Sequence, residues 1–148
     1  MSEKTLTVYY CDNRYVAGVF TPRGLYATSL PRNTLEEAIR SVDGVGLPEN
    51  QNESNIEILK TIFCIVEGSQ SLDVNKIQFD FTNLNSNQIA VLKVTMKIPP
   101  GTTMTYGQVA EKAGLSGAAR FVGNVMAKNR FAPIIPCHRV LAVNGMGG

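Results

Sequence analysis

Apolar and β-branched side chains in the first thirty residues come in three short runs, at 6–11, 15–20 and 25–30, and these runs are rich in Val, Thr, Tyr and Phe. Asp12-Asn13-Arg14 and Pro22-Arg23-Gly24 separate the runs, and turn residues between β-prone runs predict an antiparallel meander. The pattern then changes period. Thr34-Leu35-Glu36-Glu37 has the form of a capping box, and Leu35, Ala38, Ile39 and Val42 continue at helical spacing until Gly44 and Gly46-Leu47-Pro48. A second helix is expected over 54–66, with Ile58, Ile62 and Ile65 on one face, and residues 77–81 alternate like one more strand. From Ser86 the period is helical again, Ile89, Leu92 and Met96 sharing a face up to Pro99-Pro100-Gly101. Short helices over 106–112 and 118–128 flank the break at 113–117, which is the form of a helix-turn-helix. The expected fold is therefore α/β (α+β). It has a small mixed N-terminal lobe with antiparallel strands over 1–82, and a helical, winged-helix-like helix-turn-helix lobe over 83–148.

Charge sharpens this division. Residues 1–92 carry seven Lys/Arg against eleven Asp/Glu, a balance of −4, whereas residues 93–148 carry seven basic residues against Glu111, a balance of +6. A basic lobe beside an acidic one is expected of a chain that presents one face to nucleic acid, although small domains also differ in charge by chance. No run of about 18 apolar residues occurs, which argues against a membrane-spanning helix. Met1-Ser2-Glu3-Lys4-Thr5 lacks the charged-then-apolar form of a signal peptide, so an intracellular protein is expected. The three cysteines, Cys11, Cys64 and Cys137, are irregularly spaced, which fits reduced thiols. With one histidine and no Cys-x-x-Cys pair, no metal site is expected.

The only histidine, His138, directly follows Cys137 and precedes Arg139. A thiolate forms readily beside a base or a cation, so this dipeptide could be an activated nucleophile. A cysteine that only packs is the commoner case, and residue type alone leaves both readings open. Pro133 and Pro136 predict an extended, stiff approach to Cys137. In extended chain, successive side chains diverge, so His138 would act through a bridging water unless the backbone turns.

Ile135-Pro136-Cys137-His138-Arg139-Val140 closely resembles the active-site signature of the O6-alkylguanine-DNA alkyltransferases, the methylated-DNA–protein-cysteine methyltransferases. Upstream, residues 98–110 (from Ile98-Pro99-Pro100-Gly101 to Tyr106-Gly107-Gln108-Val109-Ala110) resemble that family's entry into its helix-turn-helix. Ala118-Ala119-Arg120-Phe121-Val122-Gly123 resembles the start of its recognition helix, and Asn129 stands at the family's spacing from the cysteine. The motifs keep their order over roughly residues 86–148.

The resemblance implies single-turnover repair: an alkyl group passes from O6-alkylguanine, with O4-alkylthymine as an alternative, in flipped-out form to Cys137. It implies that His138 activates Cys137 through a water. Tyr106 would rotate the damaged nucleotide and donate a hydrogen bond to the departing guanine, Arg120 would fill the gap in the duplex, and Asn129 would hold the turn that carries the site. Ala118, Ala119 and Gly123, with Gln108, would face DNA in the minor groove, where small side chains permit close approach. Double-stranded DNA is the implied partner, no cofactor is implied, and the chain is expected to be monomeric, cytoplasmic in a prokaryote or nuclear in a eukaryote. Lys93, Lys97, Lys112, Lys128 and Arg130 are candidates for steering phosphate.

Two departures from the family stand out. Asn129 is followed by Arg130 where the family commonly has Asn-Pro. The family's glycine-rich loop also normally runs on into a helix whose Glu orients the histidine, and the sequence, ending Gly145-Met146-Gly147-Gly148, holds no such Glu. Either the natural chain continues, or the activation of Cys137 is expected to be incomplete.

Overall fold

The computed structural model describes residues 3–68 and 74–142 and has mixed α+β structure. The glycine-rich end, 143–148, lies outside the described residues. The chain divides into two compact units: Met1–Thr82 with Arg130–Ile134, and Asn83–Asn129 with Ile135–Gly148. Where a single change of lobe was expected near residue 82, residues 130–134 return to the first unit before the chain resumes the second. Among the described residues no helix is long and apolar enough to cross a membrane.

In the first unit, β1 (Thr5–Cys11), β2 (Arg14–Thr21) and β3 (Gly24–Thr28) form an antiparallel meander. Asp12 and Asn13 both have positive φ (53° and 61°), the geometry of the tight hairpin turn whose twist matches that of its strands. Gly24 sits at φ 131°, and a Cβ there would collide with the backbone carbonyl of Gln78. The strands alternate their side chains between two faces. Ala17 and Val19 join Leu6, Ala27, Ala38 and Val42 in a cluster that draws in helix α1 (Leu35–Ser41). On the other face Gly18 leaves room for Leu59, whose Cδ2 would lie 2.8 Å from a Cβ at that position, and Tyr9 meets Phe63 edge to face. Leu59 and Phe63 belong to α2 (Glu53–Glu67), which buries Leu59, Ile62 and Phe63 rather than the expected stripe of Ile58, Ile62 and Ile65.

Residues 77–81 do not form the expected strand. They make one parallel bridge, Leu25 with Phe79, through Leu25 N to Gln78 O (2.9 Å) and Asp80 N to Leu25 O (2.8 Å). The alternation is interrupted at Asp80, which is 4% exposed and accepts from Thr21 Oγ1 (2.6 Å), from Thr82 N (2.9 Å) and from the Thr82 hydroxyl. Burial would raise this carboxyl's pKa, but the hydrogen bonds from Thr21 and Thr82 outweigh it and hold the pKa below the ordinary carboxylate value.

In the second unit, α3 (Ser86–Met96) starts from a capping box between Asn85 and Gln88. Its buried face is Val91, Leu92 and Thr95, with Ile98 after the helix, whereas Ile89 and Met96 of the expected face are only half-buried. Hydropathy alone misplaces this face because a threonine occupies its centre. The Thr95 hydroxyl donates to Val91 O at 2.9 Å within its own helix, so it enters the core satisfied. Strand β4 (Met104–Thr105) leads into α4 (Tyr106–Lys112), a turn, and then α5 (Ala119–Ala127). Strand β5 (Val140–Leu141) pairs with β4 in parallel, Met104 opposite Val140 and Thr105 opposite Leu141.

Candidate active site and helix-turn-helix

The Cys137 segment rests on buried apolar residues, with Ile135 wholly buried on one side and Val140 on the other. The backbone between them turns, which corrects the expected extended approach. Pro136 (φ −83°, ψ 73°) is the centre of an inverse γ-turn closed by Cys137 N to Ile135 O at 2.9 Å. Arg139 N to Pro136 O (2.9 Å) and Val140 N to Cys137 O then wind Cys137–Arg139 into one turn of 3-10 helix. The proline ring fixes φ as anticipated, but that φ is as compatible with a tight turn as with extended chain. In a three-residue turn, neighbouring side chains diverge by about a third of a circle. Cys137 is half-buried and His138 exposed.

Two side chains hold this turn. Asn129 Nδ2 donates to Ile135 O at 2.8 Å, so that one carbonyl accepts from both Asn129 and the Cys137 amide. Arg139 Nη1 donates to Ile98 O at 2.9 Å, tying the turn to the residue just past α3. Partial desolvation of the His138 ring, and secondarily the neighbouring Arg139 cation, hold the imidazole pKa below its ordinary value. Cys11 ends β1 and Cys64 lies in α2, both in the first unit. Partial desolvation and then Asp12 push the Cys11 thiol up, which disfavours its reactive form.

The β4–β5 ladder links the cysteine segment to the residue that opens α4, because Thr105 pairs with Leu141 and caps the helix that begins at Tyr106. Thr105 Oγ1 accepts from Gln108 N (3.1 Å), and Gln108 Oε1 accepts from Thr105 N (2.9 Å). Gln108, expected on the DNA-facing surface, is thus committed to a capping box that the pattern Thr-x-x-Gln could have revealed. The Tyr106 ring is half-buried and lies over Gly123 of α5, where a Cβ would stand 3.3 Å from the ring. The small residue at 123 therefore has a use inside the unit.

The turn from α4 to α5 closes in Schellman fashion. Gly114 (φ 80°) donates to Glu111 O, and Leu115 N donates to Ala110 O at 2.8 Å. Ala118, the residue before α5, provides no side-chain cap. Ala118 and Ala119 are half-buried, and Arg120, in the first turn, is exposed. Lys93, Lys97, Lys112 and Lys128 are also exposed. Arg130 is not among these free cations. It belongs to the first unit, where Nε donates to Tyr26 O (2.6 Å) and Nη2 to Asp80 O (2.9 Å) and Thr82 O (2.8 Å), with the guanidinium 4.0 Å from the Tyr26 ring centre. Nothing in the local sequence signals this, because all three acceptors are backbone carbonyls at least 48 residues away.

Residues 86–148 match the family described as the DNA-binding domain of 6-O-methylguanine DNA methyltransferase. The methylated-DNA–protein-cysteine methyltransferase of Saccharolobus solfataricus is 51% identical over 61 residues, which are 41% of this chain and 39% of that protein. Its counterpart in Methanothermobacter thermautotrophicus is 33% identical over 114 residues, 75% of this chain and 63% of the relative. The chain therefore spans less than two thirds of the length of either relative. Among solved structures, Mycobacterium tuberculosis OGT in complex with DNA shares the fold with a TM-score of 0.72 at 22% identity, covering 96% of this chain and 81% of that one. The O6-methylguanine-DNA methyltransferase of Pyrococcus kodakaraensis has a TM-score of 0.66 at 26% identity, covering 97% and 90%. Residues 86–148 thus match the DNA-binding domain of the 6-O-methylguanine DNA methyltransferase family, and the chain as a whole shares the fold of that family's solved structures.

Proposed function

We propose that the chain repairs duplex DNA by transferring the alkyl group of O6-alkylguanine, with O4-alkylthymine as an alternative substrate, irreversibly to Cys137. The observation that carries this reading is a half-buried Cys137 at the start of a turn clipped by Asn129, in the unit that also contains the helix-turn-helix. The Cys137 sulfur attacks the alkyl carbon, a sulfur–carbon bond forms, and the carbon–oxygen bond breaks with its electron pair passing to the guanine oxygen. His138, held largely neutral near neutral pH, takes the thiol proton through a bridging water. Tyr106 donates a hydrogen bond to the leaving guanine, which offsets the charge that develops there.

A lesion inside the stack is out of reach of any side chain, so the nucleotide must be flipped at a cost of a few kcal/mol. Arg120, exposed in the first turn of α5, enters the stack and offsets part of that cost. Ala118 and Ala119 keep the start of α5 slim enough for the minor groove. No cofactor takes part. The thioether is not hydrolysed, so each molecule acts once.

Intact-mass measurement after incubation with a duplex carrying O6-methylguanine tests the proposal. A gain of about 14 daltons, one methyl for one hydrogen, is expected, and it should vanish in Cys137→Ala. Binding of the duplex with no gain in mass would replace this reading with a lesion-binding module. A gain located at Cys11 or Cys64 would refute the assignment of the acceptor.

A further inference from the structure

Residues 130–134 stand between two residues of the second unit, Asn129 and Ile135, that are joined by the Asn129 Nδ2 to Ile135 O bond. They therefore form a short loop closed at its base, and Cys137 follows two residues beyond Ile135. The loop is fixed within the first unit by its backbone, through Thr28 N to Arg130 O and Thr28 Oγ1 to Ala132 O, both 2.8 Å. Its most extensive attachment is the Arg130 side chain, which donates to the carbonyls of Tyr26, Asp80 and Thr82 and stacks on the Tyr26 ring. Phe131, wholly buried, meets Phe79 and Phe81 edge to face beside it. Asp80, whose carbonyl receives Arg130, has its own carboxylate fixed by Thr21 and Thr82, so the acceptor is itself held in place.

We propose that Arg130 is a positioning residue for Cys137: it clamps the loop whose far end supplies the Ile135 carbonyl to which the Cys137 amide is bonded. This inference rests on the alkyl transfer proposed above. A planar guanidinium can bond three carbonyls and stack on a ring at once, whereas a lysine ammonium is a point charge that cannot reproduce the fork. The Arg130 side chain thus stiffens the loop through attachments within the first unit. Arg130 also has no spare role at DNA, since its Nε and Nη2 are directed at internal carbonyls.

The test measures single-turnover transfer from an O6-methylguanine duplex, together with duplex affinity, well below each variant's unfolding midpoint. Misplacement of a reacting atom by about 1 Å costs up to ~100-fold in rate, and a loosened loop less, so Arg130→Lys should slow transfer at saturating duplex by about tenfold. Its affinity for the duplex should stay within about twofold of the parent, because no phosphate contact is lost. A merely structural role would not separate rate from affinity in this way. Thr28→Val keeps Arg130 and removes only the bond to Ala132 O. It should slow transfer by about threefold, the equivalent of one net hydrogen bond of ~0.5–1 kcal/mol, and it decides the matter if Arg130→Lys does not fold. Parental transfer rates in the folded variants, or a loss matched by weaker binding, would overturn the inference. If the parent transfers nothing, the proposed activity fails. Hydrogen exchange at the Cys137 and Arg139 amides then decides: faster exchange in Arg130→Lys supports the clamp, and unchanged exchange refutes it.

Discussion

At Cys137, the proposed acceptor, the backbone is held by hydrogen bonds on both sides, while His138, the proposed base, is exposed at the next position of the same turn. The imidazole pKa lies below its ordinary 6.5, by partial desolvation first and by Arg139 second. Only the neutral ring accepts a proton. The transfer rate should therefore level off at pH well above the lowered pKa, and should fall as pH drops through it. His138→Gln should be slower throughout and lack this acid limb, which a pH–rate profile on a methylated duplex would show. Asp80 carries a different pH dependence. Its folded pKa is lowered, so the stabilisation it provides is full above its unfolded pKa, near 3.8, and is lost as pH falls through the lower folded value. Asp80→Asn should cost about 1–3 kcal/mol near neutral pH, and acid titration of the variant should lose this part of its pH dependence. Cys137 and His138 were singled out in the sequence by a motif resembling the family signature, because residue type alone left a cysteine that only packs equally open. The role of Arg130 was not legible, because a cation's acceptors can be carbonyls from any part of the chain, and no residue type marks them.

The helices owe their boundaries to short polar patterns, and those patterns place the candidate site. Thr105 with Gln108 starts α4 so that Tyr106 is its first residue, and Thr105→Ala should lower the unfolding free energy by about 1 kcal/mol in denaturant titration. Gly123 has a second effect: with a would-be Cβ 3.3 Å from the Tyr106 ring, the branched side chain of Gly123→Val must push the tyrosine aside. Transfer should then slow more than overall stability falls, and kinetics set beside thermal melting would check this. The meander, both N-terminal helices and the helix-turn-helix followed from periodicity and turn residues, since each is set by contacts close in sequence. The strand at 77–81 and the apolar face of α3 were misread where one polar residue breaks the hydropathy rule. Asp80 ends the alternation by turning inward onto threonines, and Thr95 enters the core by bonding within its helix. The turn at Cys137 was missed because proline's φ suits both extended chain and a γ-turn, and ψ is not encoded by the ring.

For the molecule as a whole, the structure narrows what the charge asymmetry can do. Of the seven basic residues in 93–148, Arg130 is committed to internal carbonyls, and Arg139 donates to Ile98 O. That leaves Lys93, Lys97, Lys112, Arg120 and Lys128, all exposed, as the cations able to meet phosphate from this region. Each phosphate neutralised contributes about 0.9 to the slope of log affinity against log salt, so binding confined to these five should give a slope no steeper than about −4.5. Substituting one of the five by glutamine should reduce the slope by about one if that residue contacts a phosphate, and leave it unchanged if it does not. Arg130→Lys should leave the slope unchanged in either case, since the arginine it replaces is not available to DNA. Fluorescence titrations of an unmodified duplex across a salt series would measure all of these slopes. A parental slope much steeper than the bound would mean that basic residues of the first unit, such as Arg14 or Arg32, also reach the duplex. A reduced slope in Arg130→Lys would mean that its guanidinium leaves its carbonyl partners when DNA binds, which would undercut the clamp on the Cys137 loop as well.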